Sequence, residues 1–177
     1  MRLWLLLSRR LADNVTYIDI AYYTGLYGAI PAEDFNRLVW DASRLMDNHT
    51  TGVDNISKLE IAFPTSEKAA ESVRRCCAKL VNTMHQIEQA SAAASVAKGY
   101  VETENGLRWR VISSVSAGNE SISYATGNVG TATEIDKAVA DPDVKERLYS
   151  RIIREHLSGV ADANGVGLLY LGPYRWR

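Results

Sequence analysis

Residues 65–87, TSEKAAESVRRCCAKLVNTMHQI, decide the fold class. Ala69, Ala70, Val73, Cys76, Cys77, Leu80, Val81, Met84 and Ile87 recur at the i, i+3, i+4, i+7 spacing of one helix face. The stripe is wide, which predicts the most buried helix of the chain. Lys68, Glu71, Arg75 and Lys79 fall outside it. Thr65 or Ser66 is placed to cap its start. The alanines at 90–97 can prolong the helix until Gly99 ends it.

Two further long helices follow the same rule. Pro31 opens one over 32–48, with Glu33 and Asp34 in the first turn, where the helix dipole favours acids. Phe35, Leu38, Val39, Ala42, Leu45 and Met46 form its apolar face. Asp141-Pro142 opens the other over 142–158, with Val144, Leu148, Tyr149, Ile152, Ile153, His156 and Leu157 inward and Gly159 as its stop. A shorter, Tyr-rich helix is predicted within 15–28, with Thr16 and Asp19 as a capping box and Gly28 as its end. Residues 49–64 and 126–133 read as loops.

The hydrophobic period changes over 100–125. Asn105-Gly106 is a two-residue hairpin signal. It sets Tyr100, Glu102 and Glu104 opposite Val111, Trp109 and Leu107, so both faces are mixed. A second strand pair is expected around Gly118-Asn119, with Ile122 and Tyr124 alternating. The expected fold class is mainly α: a helical bundle of about four helices with an inserted β-hairpin excursion and an extended C-terminal tail. Residues 1–14 read as an N-terminal extension. Residues 15–177 read as a single domain, with the excursion at about 100–125 and the tail at about 160–177.

Composition sets the outer bounds. The chain has 177 residues, 46% hydrophobic and 23% charged, with a net charge of −1. That excludes an intrinsically disordered chain and a generally basic nucleic-acid coat. No apolar run is long enough to span a membrane. Cys76 and Cys77 are adjacent and offer no disulfide framework. The apolar run Leu3–Leu7 stops at Ser8-Arg9-Arg10, short of the roughly 7–15 residues of a signal peptide. Synthesis in the cytosol with reduced thiols is the expectation. Charge is uneven: residues 99–143 hold seven acids and three bases, and residues 144–177 hold six bases and three acids. Opposite-signed segments suit head-to-tail packing of identical subunits.

No constellation carries chemistry. His49, His85 and His156 lack metal-ligand spacing, and the latter two belong to apolar helix faces. Neighbouring helical positions point about 100° apart, so Cys76-Cys77 is a packing pair, not a metal or redox motif. Asp47-Asn48-His49 begins like a calcium loop, but position 12 of that loop is Lys58, where a bidentate Glu is needed. Gly127-Asn128-Val129-Gly130 lacks the lysine of a phosphate-binding loop. Arg151 and Arg154 read as a solvated helix face. No catalytic residue, metal or cofactor is expected, and the chain is not expected to be an enzyme.

The order of several weak motifs is more specific. Val15-Thr16-Tyr17 leads to Tyr23 and Leu26-Tyr27-Gly28; Pro31-x-Glu33-Asp34-Phe35 leads to Ala42-Ser43 and Thr50. The amphipathic helix from Val73 to Glu88 follows, then Ile112-Ser113-Ser114-Val115, Gly118 and Ser121-Ile122-Ser123-Tyr124. The chain closes with Leu148-Tyr149, Ile152-Ile153, Leu157-Ser158-Gly159 and Gly167-Leu168-Leu169-Tyr170-x-Gly172. In this order, over about 15–174, the sequence resembles the head–tail connector (adaptor) proteins of long-tailed bacteriophages and prophages. It departs from them in residues 1–14, in Val160–Val166, which looks like an insertion, and at Leu171, where a basic residue is common.

The resemblance implies a structural subunit of the virion neck. Such subunits form a homo-oligomeric ring, usually of twelve, beneath the portal of the DNA-filled head. The ring extends the DNA channel and offers a platform to the stopper or tail. Gly167, Leu168, Leu169, Tyr170 and Gly172 are then the expected portal-docking residues, because large apolar side chains follow a helix stop with little chain left to cover them. Tyr100, Trp109 and Val111 are the expected inter-subunit residues. Double-stranded DNA would pass without sequence reading, and no residue is assigned to the channel wall. The alternative is a small helical DNA-binding or regulatory protein of a mobile element, with its recognition helix in 65–88 or 141–158. A helix-turn-helix joins its helices by about 3–4 residues, and these predicted helices are separated by much longer segments.

Overall fold

The computed structural model describes residues 16–96, 98–103, 106–116, 121–125 and 133–172, and between 94 and 132 the backbone alone. The extension 1–14 lies outside the described residues. Helix α1 runs Ile20–Tyr27 and starts later than the Thr16 signal suggests. The reason is the choice of cap. Asp19, not Thr16, sits at the boundary, and its Oδ1 accepts the Tyr22 N–H at 2.8 Å. Gly28 ends the helix at φ 92°, a region open to glycine.

Helix α2 runs Ala32–Thr50. Its last turn closes on itself: Thr50 Oγ1 donates to the Met46 carbonyl at 3.0 Å, and Thr51 Oγ1 to that of Asp47 at 2.7 Å. The segment expected to be a plain loop contains a short helix, α3, Lys58–Ile61. Ser57 caps it by accepting the Glu60 N–H at 3.4 Å. Helix α4 runs Glu67–Val96, so the alanines do extend it. Helix α5, Glu134–Ala140, was not foreseen, although it carries a complete capping box of Thr133 and Asp136. Helix α6 runs Pro142–Leu157. The chain is mainly helical.

Extended backbone over Lys98–Thr103 (β1), Gly106–Ser116 (β2) and Ser121–Ala125 (β3) pairs antiparallel in that order. The register differs from the expected one by two residues. Tyr100 opposes Trp109, and Thr103 opposes Gly106, so Gly106 is a paired residue, not the second residue of the turn. A register irregularity falls between Ile112 and Ser114. The side chains of Tyr100, Trp109 and Val111, and with them the mixed faces, lie outside the described residues.

The chain divides into two compact units, one of residues up to His85 together with those from Glu146, the other Gln86–Lys145. The core of the first is the meeting of the predicted apolar faces. Phe35, Leu38, Val39, Ala42 and Met46 of α2, Val73, Cys76, Cys77, Leu80 and Val81 of α4, and Ile152, Ile153 and Leu157 of α6 are all buried. Tyr23 of α1 packs its ring 5.7 Å from that of Phe35 and donates to Asn82 Oδ1 at 3.3 Å. Both cysteines are fully buried, because the stripe is wide enough to take two adjacent positions. Cys77 Sγ lies 3.8 Å from Ser43 Oγ, and burial pushes its thiol up to about 12. A thiol held protonated is inert.

His49 in the last turn of α2 and His156 in that of α6 are half-buried. Burial lowers both pKa values first of all. Arg154 adds to this at His49, and Lys79 and Arg75 add to it at His156; Glu146 and Glu155 oppose it. A histidine whose folded pKa is depressed contributes stability that is complete above its unfolded value, about 6.5. That stability is lost as pH falls through the folded values. Acidification from pH 7.5 to 5 should therefore lower the melting temperature. The His49→Gln, His156→Gln double variant should lose less over the same range in a thermal melt series.

Candidate functional site

The only segment to which the sequence assigned a docking role and whose side chains are described is the strap that follows α6. Gly159, at φ 75°, turns the chain out of the helix. Residues 161–167 then form a tight loop closed by an antiparallel bridge between Ala161 and Gly167. Asp162 organises it: its carboxylate accepts the N–H groups of Asn164 at 2.8 Å and Val166 at 2.9 Å. Gly165 supplies the positive φ the turn needs.

The loop after α2 is built the same way. Thr51 bridges Ser57, as Ala161 bridges Gly167. The Gly52 N–H donates to Ile56 O, as that of Asp162 donates to Val166 O. Asn55, at φ 55°, takes the place of Gly165. The two loops are knitted by backbone bonds, Val53 N–H to Leu171 O at 3.2 Å and Ala163 N–H to Ala62 O at 3.1 Å. They lie so close that a Cβ on Gly52 would stand 3.1 Å from Gly172 O.

Lys58 is the centre of this junction and is fully buried. Its Nζ donates to Thr50 O at 3.1 Å, to Leu168 O at 3.4 Å and to Tyr170 O. An ammonium has three protons, and all three find carbonyls. One acceptor is in the last turn of α2, where orphan carbonyls and the helix dipole favour a cation. The other two belong to the strap, 110 and 112 residues away in sequence. Burial pulls the Lys58 amine below the usual lysine range, and the negative charge of Asp162 opposes that shift. Next to it Ser57 Oγ donates to Asp47 Oδ1 at 2.8 Å, and the Tyr17 hydroxyl donates to the same oxygen at 2.5 Å. Burial pushes both the Tyr17 hydroxyl and the Asp47 carboxyl up.

The five expected docking residues do not share one fate. Leu168 is fully buried in its own chain and cannot be a free anchor in this arrangement. The premise that too little chain remains to cover it fails, because the strap folds back and carries its side chain into the core. Leu169 is half-buried and Gly167 exposed. Tyr170 is 53% exposed and lays its ring over Gly172, where any side chain would collide with it. The most exposed apolar residues beside it are Leu171 at 61%, part of the predicted tail but not one of its five named docking residues, and Val53 at 71%, which the sequence does not single out. The Val53–Leu171 backbone bond makes them one edge. No sequence motif marks Val53; it becomes visible only when the two loops meet.

Comparison of the chain with protein-family models, with curated proteins and with solved structures finds no match in any of the three. Lys58→Met keeps the apolar stem and removes the three donors. A buried carbonyl left without a donor costs about 1–3 kcal/mol. The variant should lose at least about 2 kcal/mol of unfolding free energy in urea, with no loss of helix by circular dichroism at zero denaturant.

Proposed function

We propose that this chain is a structural subunit of a phage neck ring that docks beneath the portal of the filled head. In that role it extends the DNA channel and carries the stopper or tail. The observation that carries the reading is the exposed apolar edge of Val53, Tyr170 and Leu171. Tyr170 and Leu171 lie on the C-terminal tail that the resemblance to head–tail adaptors assigns to the portal, and Val53 joins them from the loop after α2. An exposed pair of large apolar side chains on a backbone pinned at Leu168 and Tyr170 suits a docking role, because little ordering is left to be done on binding. Lateral contacts between subunits are assigned to residues 100–125, with Tyr100, Trp109 and Val111 as contacts. Passing DNA would meet phosphate-level electrostatics only. On this reading the protein acts in the virion neck after synthesis in the bacterial host cytoplasm. No described helix is long and apolar enough to cross a membrane.

The test is Tyr170→Asp with Leu171→Asp. Both side chains are exposed, so the fold should tolerate them, as a melting curve will check. Hot-spot residues of this kind each carry about 2 kcal/mol or more of an interface. Electron microscopy of particles assembled with the variant should show DNA-filled heads without a neck ring and unattached tails. Normal tail joining would refute the docking role.

A further inference from the structure

Residues 32–62 and 142–172 repeat one design at a constant spacing of 110 residues. Helix α2 starts at Ala32 and α6 at Pro142. Leu38, Ala42 and Ser43 are buried on the first, and Leu148, Ile152 and Ile153 on the second. The bridge from Thr51 to Ser57 matches that from Ala161 to Gly167, and the positive φ of Asn55 matches that of Gly165. Lys58 and Leu168 then stand at the same position, and both are fully buried. The contact between the two repeats is reciprocal. The Val53 N–H donates to Leu171 O, and the N–H of Ala163, its counterpart, donates to Ala62 O. Lys58 adds its bonds to Leu168 O and Tyr170 O. These bonds engage only main-chain atoms of the second repeat, which any copy of the chain supplies.

The path of the chain does not dictate which molecule's repeats pair. The first compact unit holds residues up to His85 and residues from Glu146, and the whole second unit, Gln86–Lys145, lies between those pieces in sequence. The second repeat is entered through a single residue. Helix α5 ends at Ala140 and α6 begins at Pro142, so Asp141 alone connects them. It serves both helices: its N–H donates to Lys137 O, and its Oδ1 accepts the Asp143 N–H at 2.8 Å. Helix–helix connections ordinarily take about 2–8 residues. A connector this short favours exchange of the attached element between identical chains. We propose that α6 and the strap exchange between copies of this chain, the second repeat of one molecule seating on the first repeat of another. The apolar faces and the strap bonds of Lys58, Val53 and Ala163 are then remade between molecules, and no buried group loses its partner. The proposal is independent of the neck-ring reading.

The test uses the full chain. Val53→Cys and Leu171→Cys are made in separate molecules. Both side chains are exposed, and the backbone bond between the two residues puts them within reach of a short bismaleimide. Cys76 and Cys77 are fully buried with their thiols held protonated, so they stay out of the reaction. The two variants are unfolded in urea, refolded together at high concentration under reductant, freed of the reductant and cross-linked. Covalent dimers joining position 53 to position 171, identified by mass spectrometry of the linked peptides, should be several-fold more abundant than after brief mixing of the two folded variants. Equal yields would overturn the proposal, because contact between intact surfaces would then account for them. So would the absence of linked dimer from both samples. Insertion of Gly-Gly-Ser after Asp141 in both chains should lower the refolded yield several-fold, and an unchanged yield would overturn Asp141 as the hinge of the exchange.

Discussion

One buried ammonium holds together what would otherwise be separate pieces of the first unit. Lys58 reaches the end of α2 and two carbonyls of the strap, all at hydrogen-bonding range. A lysine taken fully out of water is costly unless every proton is matched. The local architecture can be read as the means of matching them. The α2 helix ends at Thr50, leaving a carbonyl to accept; Ser57 starts a short helix that aims Lys58 inward; and the Asp162 loop returns the strap so that Leu168 and Tyr170 complete the set. The residue before Lys58 does similar work in the other direction. Ser57 donates to Asp47, and Asp47 also accepts from Tyr17. Two neighbouring residues thus fasten both the N-terminal entry and the C-terminal strap to the same helix.

The exposed apolar edge of Val53, Tyr170 and Leu171 depends on this fastening. Val53 and Leu171 are brought side by side by a backbone bond, and Leu168 fixes the strap by burying its side chain. The result separates two tasks that the sequence alone assigned to one motif. In Gly167-Leu168-Leu169-Tyr170, the first leucine anchors the strap inward, while Tyr170 and Leu171 stay exposed. A partner meeting this edge would find it already ordered. That is the property an assembly subunit needs if its contacts are to form in sequence on a larger platform.

The long helices were legible because their burial is periodic: α2, α4 and α6 repeat apolar residues at helical spacing over many turns. Short elements were not. The four residues of α3 are too few to show a period, and α5 was overlooked although Thr133 and Asp136 form its capping box. Lys58 entered the sequence reading only as the residue that spoils a calcium loop. Its partners are backbone carbonyls, which leave no trace in a sequence, so nothing there marks it as central. The burial of Leu168 is not legible for a related reason. Proximity to the end of the chain suggested exposure, but the turn at Gly159 and the Asp162 loop reverse the strap into the core. The register of β1 with β2 differs by two residues from the one the Asn105-Gly106 turn signal implies, because Gly106 itself pairs with Thr103.

On the proposed neck-ring role, this chain is a subunit of an assembly built on a portal. That role is tested most directly by the mass of the purified protein, measured alone and with a portal ring encoded in the same genome. The account predicts a single large complex in the mixture, carrying a fixed, multiple number of these subunits per portal ring. Components that keep their separate masses at concentrations well above those in an infected cell would contradict it.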